Sequence, residues 1–372
     1  LSQARYRPQG AAVGAPQTWM IPLCLSNGEQ RICMLMESAS APAPLPNDTS
    51  PLVPNAGGAG YYRFHLDGYG WDRLISAPPS LPGREALAMA DSIGADFSAG
   101  SLSFDRVVSA ARSLSSNPVR LAAVELGTRL KALADFALEP GQLPDYRRLM
   151  LSICGPRLAA LGFDPGPGAH AREDAGRQAL RQSLVPLVAL EGRDKKVREQ
   201  LSAAAAAAVG GDTRADDTAF RGVALSVAVQ ERGVPFIRQL TDAMVKSTDP
   251  LFRAHASVAL GAGDSPELAR AALELATSAG MQPFDTLTIV ISLSRQPSVR
   301  DLVIRHVNTN FDALMNVLPG FARTQMIRFY EGLCRKEDVD NVEKWVRPKL
   351  SALGGGELEL EQAKEGIRLC VG

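Results

Sequence analysis

Four histidines and five cysteines are the side chains in this sequence best suited to ligate a metal, relay a proton or attack a carbonyl. None of His65, His170, His255 and His306 is followed by glutamate, so no H-E-x-x-H zinc helix is encoded. None lies within one helical turn of another, so no two can share a helix face as ligands. No lysine stands three residues after a serine, and there is neither a G-x-S-x-G elbow nor a P-loop Gly-Lys. The carboxylates are plentiful, but carboxylates on helices are ordinarily solvated. The chain is therefore expected to have no catalytic residues, no metal ligands and no cofactor of its own, and to be inactive alone.

The cysteines are Cys24, Cys33, Cys154, Cys334 and Cys370, with no C-x-x-C among them, which argues against zinc ribbons and thioredoxin-type chemistry. Cys24 and Cys33 lie in a hairpin expected over 19–36. Ile21, Leu23 and Leu25 alternate on one strand, Ile32, Met34 and Met36 on the other, and Asn27-Gly28 marks the turn. A four-residue loop, Asn27 to Gln30, places Cys24 opposite Cys33, close enough for a disulfide. A two-residue Asn-Gly turn pairs Cys24 with Arg31 and leaves two small apolar side chains on a half-buried face. A bridge would place the protein outside the reducing cytosol, in a compartment such as a Gram-negative periplasm. Free thiols would leave the cytoplasm open.

The elements that carry these residues change type along the chain. Pro42, Pro44, Pro46, Pro51 and Pro54 make 38–59 a loop, and Tyr61–Leu66 alternates like a strand with Tyr62, Phe64 and Leu66 on one face. Residues 1–76 thus read as a small all-β domain. From 77 to 372 the period is 3.6. Stripes run through Leu126, Leu130, Leu133 and Ala137, through Tyr146, Met150 and Ile153, and through Met326, Phe329, Tyr330 and Leu333. Asp249-Pro250 opens a helix, Asp264 with Glu267 reads as a capping box, and Gly261 and Gly280 suit helix ends. Pro250 and Pro283, like Pro266 and Pro297, recur at a near-constant interval of paired helices, and Pro186 interrupts a helix placed at 172–190. The expected fold class is mainly α: the small all-β domain, then an α-α superhelical, HEAT-like solenoid. The 372 residues have room for two or three domains, and 40 basic residues balance 40 acidic ones, against a nucleic-acid partner. No apolar run is long enough for a membrane span, and no signal peptide is evident.

Three segments in order carry a resemblance. The first is Trp19-Met20-Ile21-Pro22-Leu23, preceded by Gln3-Ala4-Arg5-Tyr6. The second is Pro54-Asn55, then Gly60-Tyr61-Tyr62-Arg63, then Trp71. The third is Arg84-x-x-Leu87-x-x-x-Asp91, followed by Leu102. Glu173-Asp174, Leu180-Arg181 and Gly192 match more loosely. The chain resembles the C-terminal half of the zinc aminopeptidase family that includes aminopeptidase N, puromycin-sensitive aminopeptidase and the endoplasmic reticulum aminopeptidases. The resemblance implies a β-sandwich and a HEAT-like domain that closes over an active site lying elsewhere. The family's G-x-M-E-N loop, zinc helix and catalytic tyrosine have no counterpart here. Zinc would belong to a catalytic domain of the same polypeptide, which is the implied partner along with the peptide substrate. The initial Leu1 fits a fragment of that kind.

Under this reading Trp19, Tyr61, Tyr62 and Trp71 pack the sandwich and its contact with neighbouring domains. Arg181 shares a helix edge with Leu184 and Val188, which sends a cation toward an apolar face. It is either paired with Glu173 or Asp174, or is a cationic wall residue that binds peptide. Arg323 and Arg328 have the same two readings. The expected function is to roof the active-site chamber and control peptide access while the parent enzyme removes N-terminal residues. The alternative is a stand-alone HEAT-like protein-interaction scaffold.

Overall fold

The computed structural model describes residues 1–28, 30–43, 50–78, 80–212 and 214–372; Pro44 and Pro46 lie outside them. The protein is mainly helical with a small antiparallel sheet at its N-terminal end. By packing it divides into two units, residues 1–130 with 152–157, and residues 131–151 with 158–372.

In the first unit, β1 (Ile21–Asn27), β2 (Gln30–Met36) and β3 (Leu52–Val53) are ordered β2-β1-β3. The register pairs Ile21 with Met36, Leu23 with Met34 and Cys24 with Cys33, and a disulfide joins the two cysteines. Leu23, Leu25 and Met36 are buried, as the alternation requires. Among the described residues this is a single sheet, and α1 (Gly68–Ile75) meets β3 where a sandwich would place more strands. The strand expected at Tyr61–Leu66 does not form. Its burial alternates, with Phe64 buried between exposed Arg63 and His65, but its partner is helical: the Phe64 amide donates to Ser92 Oγ at 3.2 Å. Period-2 burial records which side faces a neighbour, not what that neighbour is. Ser92 belongs to α2 (Gly83–Ser98), which packs against α3 (Phe104–Leu114). Next come α4 (Arg120–Ala137) and α5 (Leu143–Leu161).

The second unit continues with α6 (Ala175–Pro186), α7 (Lys195–Val209), α8 (Arg221–Lys246), α9 (Pro250–Leu260), α10 (Pro266–Leu275), α11 (Pro283–Ser294) and α12 (Arg300–Thr309). It ends with α13 (Phe311–Val317), α14 (Gly320–Arg323), α15 (Asp338–Val346), α16 (Leu350–Leu353) and α17 (Glu357–Val371). Here α8 packs against α7, α9 and α10, and α9 against α11. Pro186 ends α6, and one π-helical turn, Leu187–Glu191, follows. Asp249 caps α9 through the Leu251 amide at 2.9 Å, with Pro250 in the first turn. The cap of α10 differs from expectation. Ser265, not Asp264, receives the Leu268 amide, at 3.3 Å, because the Asp264 carboxylate is taken by arginines. Gly261 ends α9 in a right-handed conformation. A side chain there would lie 2.3 Å from Ser292 Cβ, so glycine serves the contact with α11 rather than the turn. The Met326–Tyr330 stripe is buried but lies on a 3₁₀ helix, Thr324–Tyr330.

The final helices are joined electrostatically. Glu343 on α15 accepts from Arg347 and from Lys364 Nζ of α17, at 2.8 Å from the latter, and these cations hold its carboxyl down to about 2. A depressed folded pKa stabilises at pH above the ordinary 4.5, and that stabilisation is lost as pH falls toward about 2. Urea unfolding midpoints should therefore fall more steeply over that window for the native chain than for E343Q. Parallel pH profiles would show that the cluster contributes nothing.

Candidate functional site

The residues that make the sequence distinctive form a clasp in the first unit. The Asn55 side chain donates to the Gly60 carbonyl and accepts from the Gly60 amide, both at 2.9 Å, closing the loop between them. Tyr62 OH donates to the Pro54 carbonyl at 2.7 Å. The Arg63 guanidinium forks onto Asp91 of α2 at 2.8 and 3.3 Å, and Arg129 of α4 reaches the same carboxylate at 2.6 Å. The Asp91 carboxylate holds the Arg63 guanidinium above its ordinary value. Trp71 is 1% exposed, stacks on Phe64 with centroids 5.4 Å apart, and donates its indole N–H to Asp96 Oδ2 at 3.0 Å. His65 Nδ1 meets the same oxygen at 2.6 Å. Two of the three marked segments thus meet in one contact, Arg63 with Asp91. Every bond in the set fixes a chain position, and none presents a nucleophile.

Trp19 and Tyr61 depart from expectation. Trp19 is 40% exposed, held through its backbone by Gln3, and Tyr61 projects fully into solvent. Met20 and Leu35 are exposed as well, so the apolar residues around the start of β1 are uncovered in this chain.

The three arginines singled out by sequence take different places in the second unit. Arg181 is fully buried on α6. Its Nε donates to the Gly162 carbonyl at 2.8 Å, and its Nη2 donates to the Leu161 carbonyl at 3.0 Å and to the two Glu173 carboxylate oxygens at 2.7 and 3.0 Å. That pairing, followed by the burial that opposes it and the contact with His170, leaves the Glu173 carboxyl below its usual range. The guanidinium faces this pocket of acceptors, not an open wall. Arg323 is half-buried and donates to the Leu318 carbonyl at 3.2 Å, while Arg328 is exposed and meets Glu331 at 3.3 Å. They are not brought into one site with Arg181 by any of these contacts.

One charge cluster of the unit was not singled out by sequence. Arg193, which follows the π-helical turn, pairs with Asp264, and Arg147 of α5 approaches the same Asp264 oxygen at 3.8 Å. Behind them Arg198 donates to Glu231 at 2.7 Å, to the Ala189 carbonyl at 2.8 Å and to Gln230 at 3.0 Å. Tyr146 OH donates to Glu191 at 3.0 Å, and burial raises the Glu191 carboxyl. These residues come from four separate stretches of chain, and no local spacing announces their meeting.

Among the described residues no group of three or more histidines, cysteines or carboxylates is placed to hold a metal ion. Cys154 is buried, which pushes its thiol up to about 12 and makes it a poor nucleophile. No described helix is long and apolar enough to cross a membrane.

Comparison with curated proteins finds no match. Residues 52–369 match the family described as the ERAP1-like C-terminal domain. That span takes in the clasp and the helices of both units, and it covers most of the chain. The chain therefore belongs to the ERAP1-like C-terminal domain family, the C-terminal domain of aminopeptidase N and ERAP1 proteins.

Proposed function

We propose that this chain is the non-catalytic C-terminal part of a zinc aminopeptidase, which roofs the active-site chamber and limits which peptides enter and how they are held. The family match over residues 52–369 carries this reading. The zinc and its ligands would reside in a catalytic domain of the same polypeptide. The uncovered Trp19, Met20 and Leu35 suit a surface that such a domain covers. The half-exposed cystine of the hairpin suits an oxidising compartment such as a periplasm. Helical pairs supply a surface on which cations favour a peptide's terminal carboxylate.

Reading the coding sequence upstream of Leu1 is the first test, with an H-E-x-x-H motif expected in the same frame. An initiator Met just before Leu1 would instead favour the interaction scaffold. The parent would then be purified whole and with residues 164–372 removed, a cut beyond α5 that leaves the first unit intact. Removal should lower kcat/KM for long peptides by about tenfold or more relative to a single aminoacyl substrate, because remote binding energy is lost. An unchanged ratio would overturn the roofing role.

A further inference from the structure

We propose that Cys334 is a thiol-exchange site, where a small zwitterionic thiol forms a mixed disulfide and releases Cys370. A disulfide joins Cys334 to Cys370 at a sequence separation of 36. Cys334 lines a cleft of about 120 Å³ in the second unit, walled also by the end of α4 and the turn after it (Phe136 to Pro140) and by Pro297 and Arg300 at the start of α12. That space exceeds several-fold the roughly 10–15 Å³ that admits one water, and so has room for a cysteinyl side chain. Among the described residues Cys370 is not part of the walls, so a molecule entering the cleft meets the Cys334 side of the bridge. Arg335, next in sequence, meets Glu139 from one wall and Asp301 from another, at 3.5 Å each. All three side chains are about half exposed, so these pairs are weak and yield to an entering ligand. Together they offer both signs of charge to a zwitterion.

The exchange needs no oxidant. The thiolate attacks Cys334 Sγ, its new S–S bond forms as the Cys334–Cys370 bond breaks, and the electron pair leaves on Cys370 Sγ, which takes a proton from water. What happens to Cys370 then decides whether the adduct persists. Beyond Ile367, residues 368–371 of α17 are exposed or half-buried, so the last turn frays and carries the freed thiol away. Leu360, Ala363 and Ile367 stay buried, so exchange loosens the end of α17 without unfolding the unit. The hairpin bridge lacks this freedom. The ladder pairs Leu23–Met34 and Leu25–Ile32 flank it and hold its two sulfurs opposed, so an opened Cys24–Cys33 recloses. Cys154 is buried and does not compete.

The test is to incubate the oxidised native chain with a fixed mixture of reduced and oxidised glutathione, quench with acid, alkylate the free thiols and read the peptides by mass spectrometry. Glutathione should appear on Cys334, with Cys370 alkylated, about tenfold or more above glutathione on Cys370, Cys24 or Cys33. S298W narrows the cleft and should slow adduct formation about tenfold, with native far-UV dichroism showing that the fold is kept. The distribution on the native chain decides the proposal even where S298W fails to fold. Glutathione mainly on Cys370, equal labelling of the hairpin cysteines, no adduct at Cys334, or an unchanged rate in folded S298W would overturn the site. This test does not depend on the aminopeptidase reading, because it uses no catalytic domain.

Discussion

Alanine at Arg181 should lower the unfolding free energy by about 3 kcal/mol or more, read as a shifted urea midpoint at unchanged slope. The reasoning starts from what would be stranded. The guanidinium is fully buried and is the donor to the Leu161 and Gly162 carbonyls at the end of α5. Each carbonyl left without a donor costs about 1–3 kcal/mol. Glu173 is less of a concern, since its carboxylate is partly exposed and stays near His170 and Arg177. The complementary variant E173Q should be at least as damaging, because it strands a buried cation. R181K keeps the charge but not the separate Nε and Nη2 donors, and should recover only part of the loss. A peptide-wall arginine behaves differently: its removal leaves stability nearly unchanged and weakens peptide binding. That pattern would overturn the structural role and restore Arg181 as a binding residue.

Arg181 also shows where sequence reading reaches and where it stops. Its helix edge and its acidic neighbour eight positions away were both visible, so both partners of the pair could be named in advance. The carbonyls it holds could not, because they belong to the end of another helix. The same boundary recurs elsewhere. The two strands of the hairpin follow from alternation, which left the register open between Cys24 opposite Cys33 and Cys24 opposite Arg31, and the α9–α10 pair follows from its prolines and glycines. Both are local patterns with a local physical cause. Asp264 looked like a cap for the same local reason, but Arg193, 71 positions away, claims its carboxylate. Tyr61–Leu66 looked like a strand because burial alternates equally well against α2. The Arg147, Arg193 and Arg198 cluster left no trace, since surface-type residues on separate elements carry no period of their own. Sequence thus exposed the clasp, whose residues are crowded into 54–71 with their acceptors in the same stretch or on the helix α2. It missed the charged cluster assembled by tertiary packing.

The second disulfide, Cys334–Cys370, belongs to that missed class, and cutting it should have a larger effect than cutting the hairpin bridge. A cross-link stabilises chiefly by restricting the unfolded chain, more so for longer loops. With a sequence separation of 36, the loop-entropy relation gives about 4 kcal/mol, against about 3 kcal/mol for the separation of 9 at Cys24–Cys33. The folded state need not rearrange when the longer bridge is absent. Leu360, Ala363 and Ile367 of α17 remain buried, and Lys364 still reaches Glu343. The loss should therefore fall on global stability, not on the placement of α17. C334S/C370S should unfold at lower urea than C24S/C33S, with native far-UV dichroism in both, and the reductant-treated chain should fall below either. Since both residues are half-buried rather than sealed, a reducing cytosol would open the bridge, and the full margin would be present only in an oxidising compartment. If protein purified oxidised carried free thiols at 334 and 370, or if C334S/C370S matched the native midpoint, the bridge would contribute nothing. The helical unit would then rest on its packing and ion pairs alone, and the argument for an extracytoplasmic home would shrink to the hairpin.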